Sequence, residues 1–125
     1  MSESTGVTRV AVSALGETID DRVDEHFGRA MYFIITGGQA GLRVIDNSVN
    51  RNALQGAGIA SAELVSGEGA TAVITGHLGP KAFDALAVAG LKGYDGTGLT
   101  VREALERFAA SELSELTASS ETHAG

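Results

Sequence analysis

The stretch ATAVITGHLGPKAFDALAVAGLKGY, residues 70–94, decides the fold. Ala70–Thr75 is a short apolar run with the Val, Ile and Thr of a buried strand. Gly76–Gly79 is a tight loop, and Pro80 suits the first position of a helix, where its missing N–H costs nothing. The helix Pro80–Ala89 places Phe83, Leu86 and Ala87 on one face, and Gly90 closes it. Leu91–Tyr94 then reads as a strand again. A strand, a helix and a strand in so short a stretch imply a parallel pair joined by a right-handed crossover.

Working outward, Gly56–Ser66 is predicted helical, with Ala57, Ala60 and Leu64 on one stripe. Val7–Ser13 (VTRVAVS) carries the continuous apolar run Val10–Val12 that a sheet centre needs. Met31–Thr36 (MYFIIT) and Leu42–Asp46 are strands joined by a turn from Gly37–Gly38 to Gly41, an antiparallel hairpin. Thr100 and Glu103 form a capping box, and Val101, Ala104, Leu105 and Phe108 give the last helix its apolar stripe. The order β-β-β-α-β-α-β-α implies an α/β domain: a mixed five-stranded sheet of order 3-2-1-4-5, strand two antiparallel to its neighbours. Residues 14–29 and Ser48–Gln55 are left as loops. Residues 1–6 are expected to be disordered, 7–113 to form the domain, and 114–125 to be a disordered acidic tail.

Composition narrows the function. The 125 residues hold 16 acids and 9 bases, a net charge of −7, so a nucleic-acid partner is not expected. No apolar run is long enough to span a membrane and no secretory signal is visible, so the expected location is the cytoplasm. There is no Cys, which excludes disulfides, thiolate nucleophiles and cysteine-held clusters.

In the proposed strand order four loops meet on one rim, at the carboxyl ends of the parallel strands. His26–Phe27–Gly28–Arg29 is either a metal or anionic-ligand site, or a loop His beside a surface Arg with Phe27 as a plug. Gly76–His77–Leu78–Gly79–Pro80 is either an anion cradle at a helix start or a plain Gly-rich turn. Gly56–Ala57–Gly58 could bind an anion or allow tight packing. His123 falls in the tail and carries no role. Asp20, Asp21, Asp24 and Glu25 lack the spacing of an EF-hand and read as a solvated acidic loop. No nucleophile triad, Walker motif or dinucleotide glycine motif is present.

VAVS at 10–13, DEHFGRAMYF at 24–33, QGAGIASAEL at 55–64, AVITGHLGPKA at 72–82 and TVREALERF at 100–108 occur in one order. Together they resemble the dinitrogenase iron–molybdenum cofactor biosynthesis family, which includes NifX-type carriers, the cofactor-binding domain of NafY-type proteins and the C-terminal domain of NifB. The resemblance covers roughly residues 7–113. It implies a ribonuclease H-like fold. A nuclease is not implied, since strand one, VTRVAVS, has no carboxylate for a two-metal mechanism.

The resemblance further implies a non-catalytic carrier for an iron–molybdenum–sulfur or iron–sulfur cofactor precursor, held transiently and passed to nitrogenase assembly proteins. Such a cargo, with its sulfides and organic acid, is anionic. The resemblance makes His26 the candidate metal ligand and Arg29 a candidate anion contact, with Phe27, Gly28, Gly76, His77 and Gly79 completing the cofactor-binding set. Gln55 stands where some members have His. The alternative is an interaction or regulatory module of the same fold that binds another small anion or none. An enzyme ranks last, for no acid–base pair or activated nucleophile is visible.

Overall fold

A computed structural model of the chain describes residues 8–37 and 41–117. The elements are β1 (Val10–Ala14), β2 (Tyr32–Thr36), β3 (Arg43–Asp46), α1 (Ser48–Arg51), α2 (Ala57–Gly67), β4 (Ala72–Thr75), α3 (Pro80–Val88), β5 (Lys92–Asp95) and α4 (Val101–Ala109). The five strands form one sheet of order β3-β2-β1-β4-β5. β2 is antiparallel to β1 and β3, whereas β4 is parallel to β1 and β5. The predicted order and directions hold.

Helices cover both faces, so the central strands are buried throughout and alternate only in which layer they feed. Ala11, Phe33, Ile35 and Val73 point into one core, shared with Ala62 and Val65 of α2, Ala82 and Leu86 of α3, and Phe27. Val10, Val12, Ile34 and Ile74 point into the other, against Val101 and Ala104 of α4 and Val23 of the β1–β2 connection. The capping box of α4 is formed: Glu103 N donates to Thr100 Oγ1 at 3.1 Å, and Thr100 N donates to Glu103 Oε1 at 3.0 Å.

Several expectations are corrected. The stripe of α2 is rotated: it buries Ala57, Ser61, Ala62 and Val65, while Ala60 and Leu64 are only half-buried. Ser61 is buried because its hydroxyl donates to Gly28 O at 3.0 Å, a polar contact that an apolar periodicity ignores. In α3 the buried pair is Ala82 and Leu86; Ala87 is exposed. The Ser48–Gln55 loop contains the helical turn α1, and the long 14–29 loop is stitched down by bridges Ala14–Val23 and Arg22–Thr100.

The domain does not stop at residue 113. Asp95 N donates to Ser114 O at 2.9 Å, Leu116 N donates to Gly93 O at 2.8 Å, and Leu116 packs on the first core. Leu116 supplies apolar burial that the Ser- and Glu-rich composition hid. Residues 114–117 thus belong to the body. Residues 118–125, with His123, and Gly38 of the predicted turn lie outside the described residues, as do residues 1–7.

Candidate functional site

The C-terminal ends of β1 and β4 set the floor of the rim. Ser13 Oγ donates to Asp24 O at 2.6 Å and lies 2.7 Å from Thr75 Oγ1; Asp24 N donates to Ser13 O at 2.8 Å. Asp24 is therefore locked to the sheet, and its side chain is 5% exposed. It is no solvated acid, contrary to expectation. Oδ1 accepts from His26 N at 3.0 Å and lies 3.2 Å from His26 Nδ1, while Oδ2 accepts from Met31 N at 3.1 Å. A buried carboxylate is tolerable because its oxygens are so occupied.

His26 is 75% exposed at its side chain, held at its base and presented to solvent. With Nδ1–H directed at the carboxylate, Nε2 is the nitrogen that carries the available lone pair. His26 and His77 are bridged as parallel neighbours, so the two loops lie side by side as the strand order implied.

His26, Phe27, Gly28, Arg29, His77 and Gly79 line one open groove of about 410 Å³, with Ala57, Gly58, Pro80, Lys81 and Ala82. Phe27 contributes mostly from below: it is 1% exposed, its ring 5.3 Å from that of Phe33. Gly28 permits close approach, since a Cβ there would sit 2.8 Å from Gly58 Cα. Gly76 does not line the groove. A Cβ on it would lie 2.8 Å from Glu25 Cα and from Thr97 Oγ1, so this glycine serves loop packing. Sequence reasoning missed Lys81, although its place one residue after the helix-starting Pro80 puts it in the first turn of α3.

The helix starts give the groove its electrostatics. α2 begins at Gly56 and α3 at Gly79; neither N-cap offers a side-chain bond, and neither first turn contains an acid. Their dipole ends face the groove at Ala57, Gly58, Pro80 and Lys81, and the backbone N–H groups of Ala57, Gly58 and Lys81 receive no side-chain cap from the N-cap residues. No carboxylate is among the lining residues, although the chain is net −7. Among the described residues no three His, Cys, Asp or Glu side chains gather to hold a metal ion. The groove therefore suits an anionic, polarizable guest better than a bare cation.

Arg29 has a second task. Its Nη1 donates to Arg51 O at 2.7 Å and to Ala53 O at 2.9 Å, pinning the segment after β3 against the rim. Asn47, 1% exposed, donates to Ala30 O at 3.0 Å and to Ser61 Oγ at 3.3 Å, fixing the same turn from beneath.

Residues 8–111 match the family described as dinitrogenase iron–molybdenum cofactor. The chain belongs to this family. The apo form of the orange protein from Desulfovibrio gigas is similar in structure, with a TM-score of 0.83 and 38% identity over 88% of this chain and 93% of that one. A putative NifB protein from Thermotoga has a TM-score of 0.76 and 32% identity, covering 88% of this chain and 94% of its own. An uncharacterized protein of Methanocaldococcus jannaschii is 28% identical over 113 residues, 87% of this chain and 96% of that protein. These matches bear out the resemblance drawn from the motifs. The dinitrogenase cofactor family match spans β1 to α4, so it includes every loop that builds the groove.

Proposed function

We propose that the chain is a non-catalytic carrier that holds an anionic iron–sulfur or iron–molybdenum–sulfur cofactor precursor in the His26–His77 groove and releases it to nitrogenase assembly proteins in the cytoplasm. The observation that carries this reading is the groove itself: two uncapped helix starts, two His, Arg29 and Lys81, and no lining carboxylate. Family membership supports the cargo class. The solved apo form of the orange protein is that of a protein spoken of with its group removed.

The mechanism is reversible capture. His26 Nε2 is an oriented imidazole donor, backed by Asp24 at Nδ1. The helix N–H groups donate hydrogen bonds to the cargo's sulfides as they would to a phosphate. The apolar wall at Ala57, Pro80 and Ala82, with Phe27 beneath it, suits a soft, weakly hydrated sulfide surface. With no thiolate anywhere in the chain, the cargo is held by few bonds and can leave. Nothing in the groove supplies an activated nucleophile.

The test is anaerobic titration of the chain and of His26→Ala with isolated iron–molybdenum cofactor, read by absorption and metal analysis after gel filtration. The expected result is one cluster per chain, with about ten- to a hundredfold weaker binding in the variant at an unchanged melting temperature. Failure to retain any cluster would sink the carrier reading and leave the small-anion module.

A further inference from the structure

We propose that the recess walled by His26, Arg29, Arg51 and Asn52 is a second contact site, one that takes the carboxylates of a small polycarboxylate anion. It rests on the carrier reading only in supposing that this anion is part of the cargo.

The recess measures about 400 Å³ and shares His26 and Arg29 with the groove, so these two side chains form the ridge between two hollows. The hollows differ in chemistry. The groove has an apolar wall, whereas every residue at the recess is polar or charged. Arg29 fixes the arrangement, because both Nη1 hydrogens go to the carbonyls of Arg51 and Ala53. The remaining edge of its guanidinium is thereby oriented, and the chain segment bearing Arg51 is held beside it.

Arg29 and Arg51 both stand at the recess, so an anion bound there would meet positive charge from each. Arg43 pairs with Glu68 and Arg102 with Asp20, each at 3.0 Å. Among the described residues no carboxylate pairs with Arg29 or Arg51, and none lines the recess. Guanidinium forks match carboxylates in a bidentate geometry, and the Asn52 amide adds further donors. A cargo with a sulfide body and a carboxylate-bearing end would straddle the ridge in one orientation. Its soft body would meet the groove at Pro80, and its acid would meet Arg29 and Arg51.

The experiment is a nuclear magnetic resonance titration of the full chain with citrate at low ionic strength, with sulfate at matched ionic strength as control. It is repeated on Arg51→Gln, which keeps the Arg51 carbonyl that Arg29 holds. The expected result is citrate shifts concentrated at Arg29 and residues 51–53, weaker sulfate shifts, and at least about tenfold weaker citrate binding in the variant at an unchanged melting temperature. Citrate shifts confined to the helix starts of α2 and α3, or equal citrate affinity in both proteins, would overturn the proposal. Citrate binding in the recess without any cluster binding in the groove would support this site and overturn only the carrier reading.

Discussion

Asp24 and His26 share one carboxylate oxygen twice over: Oδ1 lies 3.0 Å from the His26 backbone nitrogen and 3.2 Å from its Nδ1. Loop position and imidazole orientation are therefore set by one buried side chain, which the sheet holds through Ser13.

Asp24→Asn tests that coupling. An amide has one acceptor oxygen, so the bonds from His26 N and Met31 N cannot both be kept. A loss of about 1–3 kcal/mol in stability is expected from the buried donor left over. Cofactor affinity should fall further than in a surface variant of equal stability, because the imidazole loses its orienting partner. Denaturant melts and cluster titration measure the two effects; an unchanged melt would mean that the carboxylate is not the anchor.

Gly28 and Gly79 should separate fold from binding. At Gly28 an added methyl meets the backbone of Gly58 at 2.8 Å, so Gly28→Ala should destabilise the chain and disturb the loop. At Gly79 an added Cβ meets nothing within 4 Å, and φ is −68°, which any residue adopts. Gly79→Val should therefore cost under about 1 kcal/mol while weakening cargo binding by obstructing the α3 start. Equal affinity of Gly79→Val and parent would argue that the cargo does not approach these N–H groups.

The layered sheet was legible because its signals are local and apolar: the Val10–Val12 run, the Pro80 helix start and the Thr100–Glu103 box each act within a few residues. What stayed hidden depends on polar contacts between distant segments. Ser61 and Asn47 look like surface residues until Gly28 and Ala30 carbonyls arrive to pair with them. Asp24 looked like one acid in a solvated run, and only the fold shows that Met31 N and His26 N close over it. The rim itself followed from strand order, which placed His26 beside His77; Arg51 and Asn52 escaped because nothing in their neighbourhood announces that Arg29 will hold them.

Truncation should locate the end of the domain. Removing residues 114–117 deletes the bonds to Gly93 and Asp95 and the packing of Leu116. A chain ending at Ser114's predecessor, Leu113, should melt several degrees below one ending at Thr117, a difference of about 1–3 kcal/mol. Identical melting curves would return the boundary to residue 113.

Two exposed carboxylates should titrate below their ordinary value of 3.8, for different reasons. Asp20 is lowered by the hydrogen bond and charge of Arg102, and Asp46 by the backbone N–H of Ser48, which donates to Oδ1 at 2.7 Å. Because each folded value lies below the unfolded one, the stabilisation is present above the unfolded value and is lost as pH falls through the folded one. Raising the salt concentration should bring Asp20 back toward 3.8 more than Asp46, since it screens an ion pair more than a backbone bond. Carbon-detected titration at low and high salt measures both.

The segment at 114–117 has a consequence for how these molecules meet one another. By bonding to Gly93 and Asp95 it covers the outer side of β5, so strand addition cannot start there. β3 is left as the open margin among the described residues, with Leu42 and Val44 half in solvent and Arg43 tied to Glu68 as a charged guard. Self-templating is thus confined to one side of the sheet. Loss of the Arg43 charge, more than any change at β5, is where a tendency to aggregate would first enter this fold.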